Sequence, residues 1–170
     1  PILAVKVFEK ILANYPTASL LMIGPDNKDG SLNELLIFIE SRNLSNRITF
    51  TGAIPKSKVG QRLSENDFFL NTTNVESFGV STVEAAACGL CIVTTDAGEL
   101  PHLWENDVDA LVVPKENPEA MANAIKNIIS QPGLAYKLSK NARKKAESFD
   151  WSAIVPQWEK TFLLAIQKKG

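Results

Sequence analysis

Hydrophobic residues along the chain follow two alternating patterns. Short apolar runs typical of strands cover residues 19–23, 47–51, 67–71, 91–94 and 110–113. Between and after them, apolar spacings of three and four predict helices over residues 2–14, 31–42, 54–64, 79–88, 117–130, 132–147 and 151–167. The alternation predicts an α/β fold: a doubly wound, mostly parallel sheet with helices on both faces. In such folds, ligands bind beyond the carboxyl ends of the strands.

Turn-forming residues refine three of these boundaries. Asn43 is predicted to be a left-handed cap of the second helix, and Pro55 is predicted to lie in the first turn of the third. Residues 96–101, which include Gly98 and Pro101, are predicted to form a loop before the last strand.

Composition narrows the class of protein. A chain of 170 residues that is 45% apolar can bury one sizeable core, so we expect a single domain over residues 1–170. Its 18 basic and 19 acidic side chains nearly cancel, which gives no support to nucleic acid as a partner. No apolar run approaches the roughly 20 residues of a transmembrane helix, and we expect a cytoplasmic protein. The chain opens at Pro1 and enters an amphipathic pattern at once, which suggests a fragment of a longer protein.

Cys88 and Cys91 form a Cys-x-x-Cys pair that could be redox-active or could be two buried, reduced thiols. The second interpretation is favoured, because Cys88 falls at a predicted helix C-terminus just before Gly89, where the helix dipole disfavours a thiolate. Two cysteines and the single histidine, His102, are too few for a structural zinc site. A lone loop histidine is more often a surface residue, so His102 is assigned no role.

Two carboxylates, Glu76 and Glu84, stand eight positions apart around a predicted strand-to-helix junction. Glu84 lies in an alanine-rich run that is typical of a helix packed on nearly every side. Because glutamate is rarely buried without a partner, we expect Glu84 to face an internal cation or a cleft that a ligand fills.

The residues between these carboxylates suit an anion. Gly79 lies at a helix start, where unpaired N–H groups can hold a phosphate and the missing side chain allows close approach. Ser81 and Thr82 add hydroxyl donors. Glu76 could accept from ligand hydroxyl groups, and Glu84 from a vicinal diol such as ribose. The pattern favours a nucleotide-sugar, although chance spacing of two helix-capping or buried polar residues is an alternative.

The motif resembles the Glu-x7-Glu signature of the retaining glycosyltransferases with the GT-B fold. The resemblance rests on residues 76–79, 83–89 and 92–96, and it continues through residues 20–25, 48–52, 107–114 and 149–151. It implies the Rossmann-like C-terminal, donor-binding domain of a two-domain enzyme. That enzyme would transfer a hexosyl group, with retention, from a nucleotide-diphosphate sugar to a saccharide or lipid-linked acceptor. No cofactor or metal ion is implied, and the full-length protein could be peripheral at a membrane.

By the same resemblance, Glu76 is the candidate catalytic residue, contacting the donor sugar and diphosphate. Glu84 would bind the ribose hydroxyls. The full nucleotide-sugar-binding set also includes the turn residues and the loop expected near the nucleobase: Ser77, Phe78, Gly79, Val80, Gly52 and Ile54.

Some parts of the family pattern are absent. The family opens this domain with a strand ending in Gly-Arg and a later Lys-Gly, which grip the diphosphate, and neither occurs here. That strand would lie between residues 19–23 and 67–71, so either these neighbours close the gap or other residues complete the sheet. The acceptor-binding N-terminal domain is also missing. We therefore expect the isolated chain to bind nucleotide weakly and to be a poor catalyst.

Two other functions remain open. The chain could be half of a nucleotide-sugar epimerase, because that group shares the GT-B architecture. It could also be a non-catalytic Rossmann-like binding or scaffold domain, since such folds change function freely.

Overall fold

The computed structural model of the protein describes residues 1–167. Five strands lie at Leu20–Met22 (β1), Ile48–Phe50 (β2), Phe68–Asn71 (β3), Cys91–Thr95 (β4) and Leu111–Val113 (β5). The α-helices lie at Ile2–Leu12 (α1), Ser31–Ser41 (α2), Lys56–Ser64 (α3), Val80–Ala87 (α4), Leu100–Leu103 (α5), Pro118–Ser130 (α6), Pro132–Glu147 (α7) and Trp151–Gln167 (α8). A short 3-10 turn at Ser45–Arg47 leads into β2.

The predicted α/β class is confirmed, because every strand pair is parallel and helices cover both faces of the central strand, β4. Ile92 packs in one core cluster with residues of α4, α5 and α7. Its neighbours Cys91 and Val93 point the other way, into a cluster with α1 and α6. All five residues of β4 are buried, as expected for a strand covered on both sides.

The strands form two separate sheets. One contains β1 and β2, and the other has the order β3-β4-β5. A cavity of about 1190 Å³ is lined by residues 20–23 on one side and residues 68–70 on the other. Of the two outcomes predicted for the absent strand, closure of the gap by its neighbours is therefore wrong.

One helix that the sequence patterns did not predict follows β4. Residues 96–101 were expected to be loop, but Leu100–Leu103 forms α5, with Pro101 in its first turn. The helix forms because Leu100 and Leu103, three residues apart, both pack into the core beside Trp104. The left-handed cap at Asn43 is confirmed by its φ of 56°, and Pro55 is the N-cap residue of α3 rather than part of its first turn.

The last helix, α8, packs differently from the others. It has no buried residue within its described length. Its large apolar side chains are exposed: Trp151, Val155, Trp158, Phe162, Leu163, Leu164 and Ile166. None of the helices within residues 1–167 is both long enough and apolar enough to cross a bilayer.

Candidate functional site

The loop that leads from β3 to α4 is held by its own hydrogen bonds. The Thr73 N–H donates to Asn71 Oδ1 at 3.0 Å, and the Thr73 hydroxyl donates to the Val75 carbonyl at 2.6 Å. From β4, the Thr95 hydroxyl donates to the Thr73 carbonyl at 2.6 Å. These bonds fix the path of the chain into residues 76–79 at the carboxyl end of β3.

Gly79 makes the turn into α4. Its φ is +91°, in the left-handed region that favours glycine. A Cβ at this position would lie 2.7 Å from Leu100 Cδ2, so the turn is backed directly by α5. The N–H groups of Gly79, Val80 and Ser81 donate to no acceptor within the described part of the chain. This helix start therefore offers three backbone donors and the positive end of the helix dipole to an anion.

Glu76 folds back over the same turn. Its Oε1 accepts from the Ser77 N–H at 3.0 Å and the Phe78 N–H at 3.4 Å. The main-chain donor expected from Phe78 is thus engaged by a carboxylate of the protein itself. The backbones of Gly98 and Glu76 lie so close that a Cβ on Gly98 would be 1.9 Å from the Glu76 carbonyl oxygen.

Glu84 lies one turn inside α4 and is less enclosed than expected. Its side chain is 37% exposed, because α4 buries only one face and leaves Ala87 in solvent. The expected internal cation is absent from the surroundings described for Glu84, because its partner Lys56 has a side chain that is 89% exposed; the alternative expectation, a cleft, fits the position of Glu84 on the large cavity. Lys56 Nζ lies 3.8 Å from Glu84 Oε1, and Glu84 lines the large cavity together with Ser81 and Thr72. Ser81 and Glu84, three residues apart on the helix, thus face the same cleft.

The remaining predicted residues are only partly brought together. Ser77, Phe78 and Val80 are exposed, and the Phe78 ring packs edge-on against Phe149 at 5.5 Å between centroids. Gly52 adopts φ +64°, and Ile54 lines a smaller cavity of about 270 Å³ against α3. Neither residue is among those that line the large cavity beside Glu84, although Lys56, two residues after Ile54, pairs with Glu84.

Trp104, which was not among the predicted site residues, supports the Gly79 turn through Thr82. Its indole Nε1–H donates to the Thr82 hydroxyl oxygen at 2.8 Å, and that hydroxyl donates to the Gly79 carbonyl at 2.6 Å. Thr82 is 0% exposed and Trp104 is 1% exposed. Local sequence gave no signal for this contact, because Trp104 is followed by the polar residues 105–107 and its partner Thr82 lies far away in the chain.

The cysteines and the histidine stay outside the site. Cys88 is the C-cap residue of α4, as predicted, and both thiols are free. Burial raises the pKa of the Cys88 thiol against the opposing charge of Arg143, and burial also raises the pKa of Cys91. Cys91 is buried, whereas Cys88 is only half-buried. His102 is exposed, and residues 1–167 contain no group of three His, Cys, Asp or Glu side chains placed to hold a metal ion.

A parallel α/β domain with a glycine turn and a free helix start beyond a strand defines a class of phosphate-binding folds. Comparison with known families identifies the member of that class. Residues 1–145 match the family described as "Glycosyl transferases group 1", and the chain belongs to that family. The expected likeness to the GT-B glycosyltransferases is confirmed.

Individual relatives agree with this family. A phosphatidylinositol N-acetylglucosaminyltransferase subunit of Arabidopsis thaliana is 30% identical over 158 residues, covering 92% of this chain and 34% of the relative. Sucrose-phosphate synthase from Thermosynechococcus elongatus superposes with a TM-score of 0.83 at 26% identity, covering 96% of this chain and 42% of that one. The Anabaena protein Alr3699/HepE, solved in complex with UDP, superposes with a TM-score of 0.82 at 25% identity, covering 92% and 44%. The chain thus spans about a third of the curated relative and under half of each structure.

Proposed function

We propose that this chain is the donor-binding domain of a retaining glycosyltransferase, part of a longer two-domain protein. The enzyme transfers a hexosyl group from a nucleotide-diphosphate sugar to a saccharide or lipid-linked acceptor. Family membership supports the class of reaction, and the complex of Alr3699/HepE with UDP supports a nucleotide at the corresponding site.

The observation that carries the proposal is the arrangement of groups along α4. Three unpaired N–H groups stand at its start, at residues 79–81, and the Glu84 carboxylate follows one turn later on the face that carries Ser81. The helix start suits a diphosphate, and a half-exposed carboxylate beside it suits the hydroxyl pair of a ribose. Gly52 and Ile54 are proposed to lie beside the nucleobase.

The chemical step breaks the bond between the anomeric carbon and the diphosphate oxygen. The bonding electrons leave with the diphosphate, and the sugar becomes oxocarbenium-like. The acceptor hydroxyl oxygen then bonds to the anomeric carbon on the face that the diphosphate leaves, and the hydroxyl proton passes to the departing diphosphate oxygen. The N–H groups of residues 79–81 stabilise the charge that builds up on the leaving group. Glu76, with the Ser77 and Phe78 N–H groups on its Oε1, is proposed to exchange these contacts for hydroxyl groups of the donor sugar, which frees the two N–H groups to face the diphosphate region.

The gap between the two sheets supports a longer polypeptide. We propose that residues preceding Pro1 supply a strand between β1 and β3. Pro1 itself lines the cavity, and α1 leads directly into β1, so a strand before α1 would form a parallel β-α-β unit with the usual crossover. That strand would also bring cations toward the turn.

Two further properties belong to the proposal. Transfer proceeds without a metal ion, so excess chelator leaves the rate unchanged, and a chelator-sensitive rate that Mg²⁺ restores would contradict this. The protein works in the cytoplasm, where its two free thiols suit a reducing compartment.

Thermal unfolding of the full-length protein with several millimolar uridine, guanosine or adenosine diphosphate tests nucleotide binding, since a bound ligand raises the free energy of unfolding. We expect one nucleotide to raise Tm. Glu84→Ala should weaken binding of that nucleotide by about 1 to 3 kcal/mol, through loss of a charged hydrogen bond.

The matched control is Glu40→Ala, which removes an exposed glutamate from α2. It should leave the nucleotide affinity unchanged. If none of the three nucleotides raises Tm, a scaffold role replaces the proposal. If Glu84→Ala binds nucleotide as tightly as Glu40→Ala, Glu84 is not part of the site.

A further inference from the structure

We propose that Trp104 is a positioning residue for diphosphate binding, acting through the Thr82 hydroxyl on the Gly79 turn. The inference rests on the proposed nucleotide site but concerns a residue that does not touch the ligand. It follows from a buried chain of two hydrogen bonds that ends on the backbone of that site.

The direction of both bonds is set by chemistry. An indole nitrogen can only donate, so the Thr82 oxygen must accept from Trp104 Nε1–H. The hydroxyl has one hydrogen, and this hydrogen must go to the Gly79 carbonyl, which lies 2.6 Å away and cannot donate. The Thr82 N–H also donates to this carbonyl, at 2.9 Å. The Gly79 carbonyl is therefore held toward the helix interior.

The orientation of the Gly79 carbonyl determines the direction of the backbone N–H group that would bind the diphosphate. The carbonyl of Gly79 and the N–H of Val80 belong to one planar peptide unit, so they point in opposite directions. When the carbonyl is drawn into α4, the Val80 N–H faces outward at the helix start. Ser81 follows in the same first turn. The Thr82 hydroxyl thus orients free donors without approaching the ligand.

The indole is itself anchored from behind. Lys145 Nζ lies 5.6 Å from the centroid of the Trp104 ring, and it donates to the Leu103 carbonyl at 2.8 Å. Lys145 also pairs with the buried carboxylate of Asp109. These contacts come from α7 and the segment before β5, so the ring cannot follow Thr82 if the turn moves. A rigid indole is what a positioning role requires.

The test compares the affinities of uridine diphosphate and uridine for the full-length protein by calorimetry. Thr82→Val removes the hydroxyl at nearly constant shape, and Trp104→Phe keeps an aromatic ring but removes the N–H donor together with part of the buried indole volume. Because the turn contacts the diphosphate and not the nucleoside, we expect the ratio of the two affinities to fall about 2- to 12-fold in Thr82→Val, the size of one lost hydrogen bond. A smaller fall is expected in Trp104→Phe, and Thr82→Ser should restore the ratio.

Two comparisons separate positioning from general stability. Ile128→Val, a fully buried truncation in α6, should lower Tm and leave the affinity ratio unchanged. Hydrogen exchange of a peptide spanning residues 79–88 should rise in Thr82→Val and stay constant in Ile128→Val. If uridine diphosphate binds but Thr82→Val keeps the wild-type ratio and exchange rate, the positioning role is wrong and the proposed function stands. Where guanosine or adenosine diphosphate is the nucleotide that raises Tm, the same comparison uses that diphosphate and its nucleoside. If none of the three diphosphates binds the wild type, both the positioning role and the proposed function fail.

Discussion

Replacing Gly98 by alanine should damage the site through Glu76 while barely changing the side-chain chemistry. A Cβ on Gly98 would lie 1.9 Å from the Glu76 carbonyl oxygen and 2.9 Å from its carbonyl carbon. Contacts below 3.0 Å are not tolerated, so the two backbones must separate by at least 1.1 Å, the difference between 3.0 Å and 1.9 Å. The loop of Gly98 cannot retreat easily, because Ala97 and Leu100 on either side are buried. Glu76 must therefore take most of the shift.

The magnitude follows from two separate costs. Alanine in the left-handed region costs about 1 kcal/mol of stability at any such position. A shift of about 1 Å in a group that contacts the reacting atoms lowers the rate by about 100-fold. The matched control is Gly89→Ala, which has the same left-handed strain at φ +86° but no atom within 4 Å of the new Cβ. Gly89→Ala should therefore lose stability through left-handed strain but should not displace Glu76 or lower the transfer rate.

Transfer kinetics and thermal unfolding of both variants in the full-length protein separate these costs. We expect both variants to lose stability, with kcat/KM about 100-fold lower in Gly98→Ala and near wild type in Gly89→Ala. Equal kcat/KM values in the two variants would refute the idea that Gly98 sets the position of Glu76 and that Glu76 is catalytic.

Three further predictions concern other parts of the molecule. Lys145→Met leaves the buried Asp109 carboxylate without its cation and should lower the free energy of unfolding in urea by about 3 kcal/mol. The exposed control Lys144→Met should lower it little, and equal losses in the two variants would show that the ion pair does not stabilise the fold. Burial raises the pKa of Cys88, so its alkylation by iodoacetamide at pH 7 should be slower than that of an exposed thiol with the ordinary pKa of about 8.5, and its rate should rise with pH; labelling at pH 7 faster than that of an exposed thiol would indicate a reactive thiol. Transfer with retention predicts that proton NMR of the first product shows the anomeric configuration of the donor, and an inverted product would exclude the retaining mechanism.

Most of the fold was predictable because periodicity reports burial. The apolar start of β4, Cys91 to Val93, indicated a strand covered on both sides, and all five of its residues are buried. The amphipathic α6 and α7 follow the predicted bounds within a residue. Helix α5 was missed because Pro101 suggested a loop, whereas tertiary packing of Leu100 and Leu103 decided its conformation. The separation into two sheets was not predicted, because the sequence patterns indicated one sheet, either closed by its neighbouring strands or completed by other residues.

In the candidate site, too, some local features were predictable from the sequence and contacts between distant residues were not. The free N–H groups were predictable, because every helix start leaves backbone donors without partners inside the helix. The left-handed conformation of Gly79 was not predicted, since glycine permits this conformation without requiring it. The burial of Glu84 was overestimated, since alanine suits buried and exposed helix faces equally, and Ala87 is exposed. The hydrogen bond from Trp104 to Thr82 joins residues 22 positions apart, so no local pattern could indicate it.

The most direct test of the account maps a nucleoside diphosphate onto α4. In a titration of the isotopically labelled full-length protein with uridine diphosphate, we expect the amide NMR signals of Gly79, Val80 and Ser81 to shift with a common Kd, while those of α8 stay in place. Uridine alone should shift them less. Saturable binding of uridine diphosphate that leaves these three amides unmoved would contradict the assignment of this helix start as the donor site.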